Sequence, residues 1–373
     1  MSEGPLKRHW ILTPATFLYE IVVGIRNKLF DWKFLSSEEF DIPIISVGNL
    51  TVGGTGKTPH TEYLIELLRE KHKVALLSRG YKRKTSGYRL ATPNSTSNEI
   101  GDEPYQIKQK YPDIHVAVDG NRRRGIHHLC DNNVSKDSEV ILLDDAFQHR
   151  YVTPGINIVL IDYNRPIYED ALMPTGMLRE PASSIHRAHI VIVTKCPNDI
   201  KPIDFRIAAK NLELRPYQRL YFTTFVYGEL KAFAENNKSK PLSTITTDTH
   251  ILLVTGIASP APLVEKLHEY TSHITHLEYG DHHQFTHSEL LTIKTKFDSI
   301  DTSPKLIITT EKDAARLAVY ELDESLRDNL YILPIKVEFL QDQKESFNKF
   351  IIDYVNKNSR NRNIHQRTNA HKP

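Results

Sequence analysis

No stretch limits what this chain can fold into more than Ile44 to Thr58, which reads Ile-Ile-Ser-Val-Gly-Asn-Leu-Thr-Val-Gly-Gly-Thr-Gly-Lys-Thr. Pro43 to Val47 is apolar and β-branched, the pattern of a strand buried on both faces. Gly53, Gly54 and Gly56 then free the backbone to curl, with no Cβ to hold an anion away. Thr61 to Arg69 has helical periodicity, so the curl feeds a helix N-terminus with its unpaired N–H groups and positive dipole end. Strand, turn and helix in that order form a phosphate cradle built from Gly53, Gly54, Thr55, Gly56, Lys57 and Thr58. Lys57 is expected to reach the β- and γ-phosphates and the Thr58 hydroxyl to hold Mg²⁺. One position departs from the strict phosphate-loop spacing: Thr51 stands where a glycine is usual.

The rest of the chain supplies a soluble context for that loop. Of 373 residues, 25% are charged and 39% hydrophobic, with a formal net charge of +2, so no overall field marks a nucleic-acid binder. Cys130 and Cys196 fit neither a metal spacing nor a disulfide framework and suit a reducing cytoplasm.

Residues 1–35 are set apart. Thr13 and Pro14 can open a helix on which Leu18, Ile21, Val22, Ile25 and Leu29 share one face. Glu20 and Arg26 interrupt the apolar run, so it cannot span a bilayer. Two readings stand: an amphipathic helix packed on the protein's own core, or one lying in a membrane surface with Trp10, Phe17, Tyr19, Phe30 and Trp32 at headgroup level.

After the loop, short apolar runs alternate with helical patterns: Val74 to Leu77, His115 to Val118, Val140 to Leu143, Ile156 to Ile161 and Ile190 to Val193. This predicts an α/β fold of phosphate-loop NTPase type, a mainly parallel sheet with helices on both faces. Residues 82–100 read as a polar, mobile loop. A kinase core is expected over 36–220, a linker over 221–250, a smaller α/β subdomain over 251–356 and a disordered basic tail over 357–373.

The polar motifs sit at the carboxyl ends of the strands, where open α/β sheets bind ligands. Asp144 and Asp145 end an apolar strand, as a Mg²⁺-organising carboxylate should. Asp102 is either a helix cap or a base for an acceptor hydroxyl, and Asp281-His282 could supply its partner. Arg79, Arg122 to Arg124 and Arg179 can hold phosphates. Thr194-Lys195-Cys196-Pro197 has proline where a guanine-reading aspartate would stand, which argues against a GTPase.

Taken together, these motifs resemble the tetraacyldisaccharide 4'-kinase family of lipid A biosynthesis. The likeness rests on Val47 to Thr51 with Gly53 to Pro59, Ser78 to Tyr81, Gly101 to Pro104, Asp144 to His149, Leu178 to Glu180, Asp281-His282 and Thr310 to Asp313, in that order. The family's loop lacks the glycine absent at Thr51. The resemblance implies transfer of a phosphate from ATP, with Mg²⁺, to the 4'-hydroxyl of an acylated glucosamine disaccharide 1-phosphate. It also implies a peripheral protein on the cytoplasmic face of the bacterial inner membrane, with no nucleic acid and no obligate protein partner. It assigns Asp102 as base with His282 as its partner, puts Asp144, Asp145 and Glu180 at the metal and nucleotide, and adds His149, Arg179, Arg79 and Arg122 as site residues. His283 and Ala146 depart from the family pattern. Because Asp102 and His282 fall in different halves, joint action requires closure around the ligand. The rival readings are a nucleotide-hydrolysing switch that acts on a partner protein, and a non-catalytic lipid binder.

Overall fold

Apolar runs bounded by glycine and aspartate become neighbouring strands because each can bury both faces only between layers of helices. The computed structural model describes residues 10–234, 238–281 and 283–370. In chain order the first part holds α1 (Thr13–Asp31), β1 (Ile44–Asn49), α2 (Lys57–Leu68), β2 (Val74–Ser78), β3 (Arg89–Leu90), α3 (Ser97–Ile100), α4 (Asp102–Lys110), β4 (His115–Val118), α5 (Arg122–Asp131), β5 (Val140–Asp144), β6 (Ile156–Asp162), β7 (Ile190–Thr194), α6 (Pro202–Asn211) and β8 (Arg219–Tyr227). Then follow β9 (Lys231–Ala232), β10 (His250–Thr255), α7 (Ala261–His268), β11 (Ile274–Glu278), α8 (His287–Asp298), β12 (Lys305–Thr309), α9 (Glu311–Leu317), α10 (Glu324–Asn329) and β13 (Leu330–Ile332). β14 (Ile335–Phe339) and α11 (Lys344–Ala370) close the chain.

The larger sheet has the order β14-β8-β7-β6-β1-β5-β2-β4-β3. Its pairs from β8 to β4 are parallel, and β3 runs antiparallel along β4. β1 lies between β5 and β6 and all six of its residues are buried. One face packs Ile45, Val47, Leu76 and Leu142 against Leu64, Ile65 and Leu68 of α2 and Phe347, Ile351 and Val355 of α11. The other packs Ala75, Leu77, Ile141 and Leu143 against Ile126 and Leu129 of α5, and Val191 and Val193 against Ala208 of α6. The α/β phosphate-loop architecture expected from the alternation is present.

The chain divides into two units, Met1–Phe225 with Val337–Pro373, and Val226–Lys336. The second has its own sheet, β11-β10-β12-β13 parallel with β9 antiparallel at the edge. This division differs from the sequence-based one. Residues 219–227, read as the start of a linker, are a strand of the larger sheet. The last strand and helix return to the larger unit, because the apolar stripe Phe347, Ile351, Val355 matches its core. The tail expected to be disordered continues α11 to Ala370. With no proline or glycine between Lys344 and Ala370, a helix nucleated on the core can propagate.

Residues 82–100 also fold more tightly than their composition suggests. β3 pairs with β4, the Lys84 amide donates to the Asn98 carbonyl at 2.8 Å, and the Thr85 hydroxyl donates to the Glu99 carbonyl at 2.6 Å. α3 opens with a Thr96–Glu99 capping box, a local signal visible in the sequence as Thr-x-x-Glu.

α1 turns its polar face inward. The Tyr19 hydroxyl donates to the Arg179 carbonyl at 2.9 Å, Arg26 donates to the Gln148 carbonyl at 2.8 Å, and Arg150 donates to the Asn27 carbonyl at 3.0 Å. Phe30 is the one residue of α1 that is fully buried, edge-on to Tyr151. Ile11, Phe17, Leu18, Ile21, Val22 and Ile25 are exposed, Leu18 at 64% and Val22 at 65%. Among the described residues no helix is long and apolar enough to cross a membrane.

Candidate active site

β1 ends at Asn49, and the chain curls through Gly53 and Gly56, at φ +105° and +87°, before α2 begins at Lys57. Gly56 caps α2 in the left-handed region, where a side chain would be strained and would strike the Phe225 ring. The loop is held from three sides. Asn49 donates to the Thr55 hydroxyl at 2.9 Å, the Thr194 hydroxyl donates to the Thr55 carbonyl at 2.9 Å, and the Val52 amide donates to the Met177 carbonyl at 2.8 Å. Thr58 is buried at the start of the helix.

The neighbouring strand β5 delivers Asp144 and Asp145. Lys57 Nζ lies 3.6 Å from Asp145 Oδ1, and Arg179 donates to both Asp145 oxygens at 3.1 Å. Burial alone would favour the neutral acid, but Lys57 and Arg179 outweigh it and hold the Asp145 carboxyl below its usual range. Asp144 is buried. Its Oδ2 accepts from the Ser78 hydroxyl at 3.1 Å, while Oδ1 has no hydrogen-bond partner. Burial and the negative charges of Glu103 and Asp145 push the Asp144 carboxyl up to about 7. Arg122 is buried behind it, donating to the Asp144 carbonyl at 3.1 Å and the Asp119 carbonyl at 2.9 Å.

These contacts draw Lys57, Asp144, Asp145, Arg122 and Arg179 into one cluster at the end of β1 and β5. Arg79 follows β2 directly and its charge is felt by Arg122. Asp102 is the first residue of α4, beside Glu103, and half-buried. Gly101 before it sits at φ +93°, with the Tyr81 carbonyl 3.0 Å from where a Cβ would lie. Glu180 has a different setting. It is buried, bonded to Arg187, and 3.8 Å from Arg26 of α1. His149 is held neutral: burial, then the charges of Arg122, Arg26 and Arg123, lower it to about 4. In the second unit Asp281 follows β11, and His282 lies outside the described residues. His283 shares a 2.9 Å hydrogen bond with Glu289 and stacks on Tyr279. Asp313 and Arg316, both buried, bind the two peptide groups of Gly256 at 2.9 and 3.0 Å.

Several participants escaped the sequence reading. Ser78 and Gln148, whose amide donates to the Asn49 carbonyl at 2.7 Å, lie within quoted motifs but carried no assigned role. Glu103 was masked by its neighbour Asp102. Arg165, whose guanidinium comes within 3.0 Å of the Cβ position at Gly53, carried no motif signal at all.

Comparison with known proteins bears on this arrangement. A family model described as tetraacyldisaccharide-1-P 4'-kinase matches residues 8–356. The chain belongs to the tetraacyldisaccharide 4'-kinase family. It is similar to the tetraacyldisaccharide 4'-kinase of Phocaeicola vulgatus, 57% identical over 365 residues that cover 98% of this chain and 100% of the relative. It is also similar to that of Bacteroides thetaiotaomicron, 53% identical over 380 residues with 100% of both covered. A crystal structure of LpxK from Aquifex aeolicus in complex with ATP superposes with a TM-score of 0.71 at 26% identity, covering 92% of this chain and 98% of that one. Membership makes the chain a kinase of lipid A biosynthesis on a phosphate-loop scaffold, and it rules out the switch and the non-catalytic binder as family assignments.

The residues fit a magnesium ion. Mg²⁺ takes oxygen ligands, one or two carboxylates and the substrate's phosphates, rather than an all-protein cage. A buried Asp144 with one unpartnered oxygen, beside a phosphate loop that ends in a threonine, offers that kind of donor set. Among the described residues no group of three or more His, Cys, Asp or Glu forms a metal cage of its own.

Proposed function

We propose that the chain transfers the γ-phosphate of ATP to the 4'-hydroxyl of a tetraacyldisaccharide 1-phosphate, with Mg²⁺, at a membrane surface. The observation that carries this reading is the cluster at the end of β1 and β5: Lys57 3.6 Å from Asp145, next to a buried Asp144 with a free oxygen. Phosphoryl transfer needs positioning and charge neutralisation more than covalent help. Backbone N–H groups of the loop and α2, with Lys57, receive the phosphates. Arg79, Arg122, Arg165 and Arg179 add positive charge around them. Mg²⁺, held by Thr58 and Asp144, neutralises charge that develops on the phosphate oxygens.

Asp102 takes the proton of the acceptor hydroxyl. It is half-buried at the start of a helix beside Glu103, so the substrate can reach it. We assign the supporting histidine role to His282 and not His283, because the His283 ring is engaged by Glu289 and Tyr279. Asp145 tethers Lys57 and Arg179. Glu180, set between Arg187 and Arg26, acts on the site through Arg179, its neighbour in sequence, and through α1.

The exposed apolar stripe of α1 lies in the headgroup region of the cytoplasmic face of the inner membrane and brings the loop to its acylated substrate.

The test is transfer of labelled γ-phosphate from Mg-ATP to tetraacyldisaccharide 1-phosphate in detergent micelles. Wild-type protein forms a labelled bisphosphorylated lipid and Lys57→Ala does not. Asp102→Asn lowers kcat by about 10²–10⁴-fold with little change in KM for ATP. Equal losses in both would make Asp102 a nucleotide ligand. Release of inorganic phosphate without labelled lipid would remove the kinase reading.

A further inference from the structure

The segment from Arg79 to Asn98 carries five cations, Arg79, Lys82, Arg83, Lys84 and Arg89, and not one aspartate or glutamate. Among the described residues, Arg79, Lys82, Lys84 and Arg89 make no ion pair, and Lys82, Lys84 and Arg89 are exposed. Such a run is usually a solvated face. Three observations separate it from one.

First, the run is fixed to the backbone that carries Asp102. Lys84 and Thr85 bond the Asn98 and Glu99 carbonyls, and Gly101 packs on the Gly80–Tyr81 backbone so closely that a Cβ would meet it at 3.0–3.2 Å. Second, Arg83 is pre-aimed: one guanidinium nitrogen donates to the Gly87 carbonyl at 2.6 Å, while Nη1 is buried with no hydrogen-bond partner. Third, the nearest carboxylate is already committed. Asp119 is buried and gripped by Arg124 through two 2.8 Å bonds and by the Asn121 amide at 2.9 Å. Burial lowers the Arg83 pKa; Asp119 opposes that shift, while the like charges of Arg89 and Arg124 add to it. The loop therefore holds a local excess of positive charge that no protein anion satisfies, beside the residue proposed to act on the acceptor hydroxyl.

We propose that Lys82, Arg83, Lys84 and Arg89 bind the phosphate monoester of the acceptor, the group that the disaccharide carries away from its reacting hydroxyl. This rests on the kinase reading above. Arg79, at the root of the loop, stands between the two anionic ligands, since its charge also reaches Arg122 in the nucleotide cluster. Lys and Arg suit a monoester because each supplies charge-assisted donors to a group with three acceptor oxygens.

The experiment compares kcat/KM for two acceptors in micelles, the tetraacyldisaccharide with its 1-phosphate and the same lipid without it. Wild type is expected to favour the phosphorylated acceptor. Lys82→Gln combined with Arg89→Gln is expected to cut that preference about tenfold or more, through acceptor KM, with KM for ATP within about twofold. Lys82→Arg with Arg89→Lys should restore it. Arg83→Gln is the second variant, expected to act in the same direction. Equal losses on both acceptors, a loss in ATP affinity, or no wild-type preference would each overturn the proposal. Pelleting with phosphatidylglycerol vesicles is the remaining arm. Reduced pelleting by the Gln variants with an unchanged acceptor preference assigns the loop to lipid headgroups and overturns the proposal too. If wild type phosphorylates neither acceptor, the kinase reading falls and this inference falls with it; if wild type is active and the variants keep its preference, the inference alone falls.

Discussion

Helices α1 and α11 belong to the same unit and both carry apolar residues at helical spacing, yet they use them in opposite ways. α11 turns Phe347, Ile351 and Val355 into the core, and its Tyr354 hydroxyl bonds the backbone of Ile44 in the phosphate-loop strand. α1 turns Leu18, Ile21, Val22 and Ile25 outward and binds the protein through Tyr19, Arg26 and Asn27. A periodic stripe says only that one face differs from the other. Which face meets the protein depends on what waits there. For α11 that is an apolar sheet face, and for α1 it is a set of loop carbonyls and Arg150, which polar groups satisfy better. The bland reading of residues 1–35, an apolar face packed on the core, therefore gives way to a helix bound by its polar face.

The contrast can be broken by substitution. Phe347→Ala leaves a cavity among Tyr63, Tyr221 and Phe339, and is expected to cost about 3–5 kcal/mol by denaturant unfolding. A cost under about 1 kcal/mol would mean α11 is not part of the core it appends.

Acid should act on the packed side alone. His60 of α2 is fully buried, sharing hydrogen bonds with the Gly56 carbonyl at 2.8 Å and the Thr223 hydroxyl at 3.0 Å, and burial lowers its pKa from 6.5 to about 4. The unfolded ring takes up a proton near 6.5 while the folded ring stays neutral until about 4. The stability this provides is whole above 6.5 and is lost as pH falls from 6.5 towards 4. Between pH 7 and pH 5 wild type should lose roughly 2 kcal/mol more than His60→Gln, read from urea midpoints at the two pH values.

On the other helix, Leu18→Asp with Val22→Asp should leave the unfolding free energy within about 0.5 kcal/mol, as for surface positions. The same pair should lower vesicle association by about tenfold or more, since each side chain is worth about 1.5–3 kcal/mol when buried. Unchanged pelleting would end the docking reading of α1. The smallest effect is expected from Tyr19→Phe, which removes one bond to the Arg179 carbonyl and should cost about 1 kcal/mol. Because Arg179 holds Asp145, that change should also raise KM for ATP slightly, and an equal change in Phe30→Leu would show that it reports only loosening of α1.

Much of the site was legible because its chemistry is local. Gly53 to Thr58 needs only a strand before it and a helix after it, and both follow from periodicity. Asp144 and Asp145 were readable from the apolar run ahead of them. Glu180 shows the limit: a carboxylate next to Arg179 in sequence faces Arg187 and Arg26, because successive residues of an extended segment point to opposite sides. Arg165 and Glu103 were missed since nothing near them in sequence marks which loop they lean over.

What the sequence by itself determined is the alternation of strand and helix, the phosphate loop at the end of β1 and the family to which the motifs belong. These depend on side-chain period and on contacts among residues a few positions apart. Only the tertiary structure decided that α1 faces outward, that α11 completes the core of the first unit, and that the basic loop after β2 is fastened to the helix carrying Asp102. Each joins segments tens to hundreds of residues apart or, in the loop, fixes a chain that composition alone would leave irregular. Their outcome rests on which buried polar groups find partners, a property of the packed molecule and not of any window of the chain.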